Sequence, residues 1–314
     1  VTEPTTLPAA PGATRSASSP LLVLALSLVG ISFAAPLIRL SSADALVIAT
    51  WRLGFSMLIV GGALALSRGW REYAGLRAGE YAMALGAGVL LALHFWSWNA
   101  SLRYTSVAAS VTLVNLQPVL IAAASALWLG EPPSRRQWVG VAIAFGGALV
   151  VGAADVPGGV AGLGAALSSG GSRALFGDLL AVLGAVTAAG YYLIGRRLRQ
   201  RLGLWPYVAL VYGAAFVSCV VLTGLTHRPL APQPPREVAI FAGLALGPML
   251  LGHTGMNWAL GHLPAFVVNL TTLGEPVGAT LLAAALPGIH EVPGPLTLVG
   301  GGLILGGVLL AARR

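Results

Sequence analysis

Apolar positions in this chain do not alternate with polar ones; they run on. Stretches of roughly twenty residues, nearly free of charge, recur at 21–38, 43–66, 80–99, 106–128, 136–152, 176–197, 205–225, 237–260, 264–286 and 295–311. A helix rising about 1.5 Å per residue needs about that many apolar residues to cross roughly 30 Å of hydrocarbon. A helix also satisfies its own backbone on the way, as lipid demands. The pattern therefore predicts an all-α integral membrane protein with ten transmembrane helices.

The intervals carry the breakers. GEPPSRRQW (130–138) ends one run and starts the next with paired prolines, two arginines and an interfacial tryptophan, and HRPLAPQPPRE (227–237) does the same further on. Residues 1–20, rich in Pro, Ala, Ser and Thr, read as a disordered cytoplasmic tail. The first run is longer than a signal-peptide core and leads directly into further spans, so it reads as a retained helix. Residues 153–175, which include VPGGVAGLGAALSSGGS, are too rich in glycine for a stable helix and read as a joint between two halves.

Composition agrees with the pattern: 56% of residues are hydrophobic and 9% charged, against roughly a quarter charged in a soluble domain. All 18 basic residues are arginine. They lack the aromatic interleaving of a nucleic-acid surface, and their distribution speaks to orientation instead. With the N-terminus inside, the cytoplasmic segments hold twelve arginines, from Arg15 through Arg68, Arg135 and Arg196 to Arg314, and the opposite side holds five. The positive-inside rule then puts both termini in the cytoplasm. The single cysteine, Cys219, has no partner for a disulfide or a metal site.

The second half repeats the first. Residues 99–126 set against 257–284 match Asn99 to Asn257, Leu102 to Leu260 and Pro118-Val119 to Pro276-Val277 without a gap. After a two-residue insertion, Glu131 falls on Glu291, Gly140 on Gly300 and Gly146-Gly147 on Gly306-Gly307. Five spans per copy is an odd number, so the second copy enters the bilayer from the opposite side, giving two inverted five-helix repeats at 21–152 and 176–311. Inverted repeats of this kind recur in secondary transporters, with the substrate site near the midplane where the repeats meet.

Two segments, LQPVLIAAASALWLGEPPSRRQWVGVAIAFGGALVVG and LGEPVGATLLAAALPGIHEVPGPLTLVGGGLILGGVLL, each join a proline-containing span, a Glu-bearing loop and a Gly-rich last span. Together with GDLLAVLGAVTAAGYYLIGRRLR (177–199), they resemble the EamA-type permeases of the drug/metabolite transporter superfamily over roughly 21–311. The resemblance implies an inner-membrane carrier, often an exporter of amino acids, related metabolites or toxic compounds.

Charge inside a bilayer is costly and marks a cavity or a partner. Arg52, about nine residues into its span, and Glu275, about eleven into its own, are the two deep charges. Glu275 has Gln117 as its repeat counterpart, each immediately before a proline that removes an amide and frees a carbonyl, Val114 for Pro118 and Thr272 for Pro276. Both helices are expected to weaken at mid-membrane around a central site, with Glu275 facing Gln117 and pairing with Arg52 when the site is empty. His94 and His253 stand at nearly equivalent places, and Asn115, Asn257 and Asn269 complete the candidate substrate-binding set. Trp96 and Trp98 read as interfacial anchors, and Gly243 with Gly247 and Gly302 with Gly306 as close helix contacts.

No metalloprotease helix, nucleotide-binding loop or nucleophile elbow is present in the sequence. The expectation is a carrier driven by gradients, with no cofactor, metal site or catalytic residue. Its partners are a small-molecule substrate and the lipid bilayer, without nucleic acid or an obligatory protein partner. The alternative is a membrane-embedded enzyme acting on a lipid or lipid-linked substrate.

Overall fold

A computed structural model describes residues 20–104, 110, 113–130, 132–154, 171–285 and 295–312. The N-terminal tail to residue 19, most of the joint, and the loop pair Glu131 and Glu291 lie outside these described residues. Among the described residues there is no strand. In chain order the α-helices are α1 (Pro20–Ser32), α2 (Ala34–Leu40), α3 (Ala45–Ser67), α4 (Ala78–Ser101), α5 (Gln117–Ala124), α6 (Arg135–Ala154), α7 (Gly171–Leu198), α8 (Leu204–Leu225), α9 (Pro235–Leu244), α10 (Gly255–Ala259), α11 (Ala265–Leu270), α12 (Glu275–Ala285) and α13 (Pro295–Ala312).

Among the described residues, six stretches are long and apolar enough to cross a membrane: Pro20–Leu40, Ala45–Ser67, Ala78–Ser101, Phe176–Leu198, Leu204–Leu225 and Pro235–Ala259. Shorter apolar helices at Gln117–Leu129 and Leu298–Ala311 accompany them. Leu58, Val217, Leu225 and Leu309 face outward, while Arg52, Asn257 and Asn269 are buried. In water this distribution would be inverted; in lipid the tails are as apolar as leucine, and polar side chains and small residues hold the helices together. The joint is shorter than the glycine content indicates, because α7 begins at Gly171, inside 153–175.

The two Gly-rich helices α6 and α13 show the internal symmetry most directly. A Cβ on Gly140 would lie 2.7 Å from the carbonyl oxygen of Gly307, and one on Gly147 would lie 2.7 Å from that of Gly300. Since Gly140 is the repeat mate of Gly300, and Gly147 of Gly307, each copy offers the same patch to the other. This is the signature of a two-fold contact. The Gly302 and Gly306 pair does not make this contact: both have open space around them. They lie on the opposite side of α13 from Gly300 and Gly307, which are seven residues apart and so return to one face of the helix.

Breaks in the helices gather around one cavity. Pro118 and Pro276 do not kink continuous helices; each sits in the first turn of a new one, α5 or α12, where a missing amide costs nothing. The preceding residues are a turn at Asn115 and Leu116 and a 3₁₀ turn at Thr271–Gly274. A third break has no counterpart in the first copy. Between α9 and α10 the chain winds as a π-helix over Ala245–Thr254, with Pro248 inside it, whereas α4 is continuous. The repeat register explains this. Glu80 aligns with Glu237, Ala82 with Ala239 and Gly86 with Gly243, but from Trp98 and Met256 onward the second copy is one residue longer. One inserted residue in a helix makes a π-bulge.

Candidate functional site

A cavity lies where these breaks converge. Its walls carry the repeat symmetry. The register that sets Asn99 on Asn257 also pairs Ala34 with Tyr192, Trp98 with Met256, Val114 with Thr272 and Gln117 with Glu275, and all eight of these residues line the cavity. The same offset thus holds in the first span of each copy and again from Trp98 and Met256 to the proline break, with the one-residue shift at Glu80 and Glu237 between them. Gln117 Nε2 donates to Thr272 Oγ1 at 3.4 Å, and that hydroxyl donates to the Asn269 carbonyl at 2.7 Å. The two weakened helices are therefore linked to each other.

Of the eight candidate residues, Arg52, His94, Gln117, His253 and Glu275 line this cavity. Arg52 is 1% exposed. Its guanidinium carbon lies 3.9 Å from the Phe95 ring centroid, and Nη2 points at Met249 Sδ at 3.7 Å. Nε and Nη1 are buried without a hydrogen-bond partner. The expected pairing with Glu275 is not made: the ion pairs of the described residues join Arg103 and Arg228 to Asp44, Arg201 to Glu80 and Arg236 to Glu237. The guanidinium lies flat on an aromatic face instead, a favourable place for a desolvated cation.

The histidines meet across the cavity. His94 Nδ1 is 2.9 Å from the Gly184 carbonyl, which makes that nitrogen the donor. The His94 and His253 rings are 6.3 Å apart edge to face, and His253 also meets Phe95 edge-on at 5.2 Å. Tyr192 places its hydroxyl 3.3 Å from His253 Nδ1 and 3.1 Å from Met256 Sδ. The π-helical turn is what carries His253 and Pro248 to this wall.

The three asparagines are not among the lining residues. Asn257 is buried behind the cavity, where its amide donates to the hydroxyls of Tyr191 and Tyr212, the latter at 3.1 Å. Asn269 is buried with both side-chain polar atoms unpartnered, and Asn115 is buried at the turn before α5. Trp98 is a correction as well: it is 5% exposed, lines the cavity and stacks on His94 at 6.2 Å, so it does not anchor an interface. Sequence reading missed Tyr192 and Thr272. The doublet Tyr191-Tyr192 stands in the middle of an apolar span, and two phenol hydroxyls at membrane depth are a signal of the same kind as a buried amide.

Comparison with known proteins decides the family. The profile of the EamA-like transporter family matches this chain twice, over residues 18–153 and 175–313. The chain belongs to that family. It is a multi-pass membrane protein. A probable terminal-alkyne amino-acid exporter of Streptantibioticus cattleyicolor is 27% identical over 203 residues, which are 64% of this chain and 63% of that protein. The alignment thus spans slightly less than two thirds of the relative's length. A crystal structure of another protein superposes with a TM-score of 0.73, covering 95% of this chain and 97% of its own at 21% identity, which shows a shared fold.

Proposed function

We propose that this protein is an exporter, a secondary carrier that moves small organic metabolites, amino acids and their relatives among them, by alternating access. The reading takes the chain as ten spans in two inverted halves, 21–152 and 176–311, joined through 153–175, with both termini in the cytoplasm and the protein in the inner (plasma) membrane. The observation that carries it is the cavity built from repeat-related positions of both halves. A site on the symmetry axis is the one place that both halves can expose in turn as they rock.

In this reading Arg52, Gln117 and Glu275 hold polar groups of the cargo, His94 and His253 shape its walls, and Asn115, Asn257 and Asn269 brace the helices behind it. The amino-acid exporter among the relatives supports that cargo class.

Everted and right-side-out vesicles from cells overproducing the protein, offered a panel of radiolabelled amino acids and organic amines, test it. Accumulation in everted vesicles and reduced accumulation by intact cells are expected. Purified protein that moves nothing across liposomes yet turns over a lipid would overturn it. Reporter fusions after residue 314 and within 156–172 should report opposite sides of the membrane, and the same side for both would sink the inverted arrangement.

A further inference from the structure

Arg52 presents an unusual combination. It is a buried cation, it borders a cavity, and two of its three guanidinium nitrogens have no partner. Its third nitrogen meets only a thioether sulfur, a weak acceptor. Among the described residues no carboxylate lies within ion-pair distance, although Glu275 lines the same cavity. A purely structural arginine would be expected to have its donors satisfied, because an unpaired buried charge is among the most destabilising features a protein can carry. Phe95 covers one face of the guanidinium, so its in-plane edge is what remains for a ligand.

Resting on the transporter reading, we infer that Arg52 is the anion anchor of the site and that the cargo carries a carboxylate, which docks on this guanidinium edge. Planar carboxylates match the guanidinium fork with two parallel hydrogen bonds. Trp98, His94 and Tyr192 supply flat aromatic and imidazole walls for the remainder of the molecule. Glu275 belongs to the other half of the chain and offers a counter-charge to an ammonium. A molecule with both groups therefore joins the two halves.

The test compares an amino acid with its methyl ester, which keeps the amine but lacks the carboxylate charge. Detergent-purified protein is melted with L-phenylalanine, L-phenylalanine methyl ester or phenethylamine, and the same three are offered to proteoliposomes. The acid is expected to raise the melting temperature more than the ester or the amine. Arg52→Met should abolish that difference while leaving the melting temperature of the free protein unchanged or higher, since it removes an unpaired charge at similar volume. Arg52→Lys should keep a reduced preference. Equal responses to acid and ester in the unaltered protein, including no response to either, overturn the anchor, as does a folded Arg52→Met variant that still prefers the acid. Transport of the ester or amine without the acid would overturn the anchor yet leave the exporter intact, which separates the two readings.

A second inference rests on different residues. Glu80 and Glu237 are repeat mates, both buried, at the start of α4 and α9. Glu80 accepts from the Arg77 amide and from Arg201, in the loop that joins α7 to α8. Glu237 accepts from the Ser41 hydroxyl and from the amide and hydroxyl of Ser42, at 3.1 and 3.0 Å, in the loop that joins α2 to α3. Each acid thus holds the first interhelical loop of the other half, and the two contacts lie at opposite ends of the bundle. We propose that they are a pair of symmetry-related latches, one for each face of the membrane, whose alternate release admits the cargo from each side.

A cysteine replacing Ala34 on the cavity wall, in a Cys219→Ser background, reports on this when labelled with a membrane-impermeant maleimide. Glu237→Ala should increase labelling from outside the cell several-fold, and Glu80→Ala from the cytoplasmic side in everted vesicles. The conservative Glu237→Gln and Glu80→Gln variants should give smaller increases on the same sides. Increases on a shared side, or none with any of the four variants, would overturn the pairing.

Discussion

The two halves of the chain meet the cavity at equivalent positions with different chemistry. The first half brings Ala34, Trp98, Val114 and Gln117; the second brings Tyr192, Met256, Thr272 and Glu275 in the same four places. At three of the four, the second copy adds a hydroxyl or a carboxylate. Arg52, in turn, comes from the first half alone. Duplication set the geometry of a two-fold site, and divergence at its walls made that site asymmetric, with its cation on one half and its acid on the other. A cavity of this kind can fix the orientation of a dipolar ligand, which a truly symmetric one cannot.

The largest effect should come from breaking the part of the comparison that stayed symmetric. Gly307→Leu, or its mate Gly147→Leu, drives a side chain into the facing backbone of the α6 and α13 contact. Overpacking costs about 1–3 kcal/mol, occasionally more, where neighbours can shift; facing backbone cannot, so loss of monodisperse protein is expected. Gly302→Leu, with nothing near it, should melt like the unaltered protein. Size-exclusion profiles and melting curves in detergent decide between them.

Next is a pair that diverged in its bonding. Asn257 donates to two tyrosine hydroxyls, while its mate Asn99 donates only to the Ala45 carbonyl at 3.4 Å. Asn257→Ala should cost about 1–3 kcal/mol, because it strips buried hydroxyls of a partner. Asn99→Ala should cost about 1 kcal/mol or less, and equal losses in thermal unfolding would contradict this ranking.

Glu275→Gln makes the two proline breaks alike. Since Gln already occupies the equivalent place, the fold should persist within about 0.5–1.5 kcal/mol, the worth of one hydrogen bond. Initial rates of export should fall by about tenfold, the equivalent of 1.4 kcal/mol in a barrier. Unaltered rates across a range of pH would remove Glu275 from the site.

The smallest effect is expected at the third break. Pro248→Ala returns one amide to the π-helical turn without closing it, because the extra residue remains. Stability should change by no more than about 1 kcal/mol, and rates by a few-fold at most. A larger change would mean that the proline, and not the insertion, positions His253.

Much of this protein was readable from the chain. The long apolar runs predicted helices near the places where the described ones stand, and the aligned glycines and prolines marked elements that meet in space. Periodicity and repetition are local properties of a sequence, and lipid leaves the backbone few alternatives to a helix. The deep charges Arg52 and Glu275 were legible for the same reason, since a charge within an apolar span stands out. What remained hidden depends on direction and neighbours. The spacing of Gly302 and Gly306 is as good as that of Gly300 and Gly307, and only the packed helices show which pair touches another chain segment. Trp98 and Tyr192 look like any aromatic residues in a span until rotation about the helix axis turns them toward the cavity.

The sequence by itself determined that this chain is a duplicated bundle of membrane helices with two deep charges and two proline breaks, because composition, period and repeat are written along one dimension. The tertiary structure alone decided that Arg52 lies on Phe95 with unpaired donors and that Asn257 braces the helices behind the cavity. It alone decided that one inserted residue becomes a π-turn carrying His253 to the wall. Those outcomes depend on which faces of separate helices meet, and a side chain's partners are set by that meeting rather than by its place in the chain.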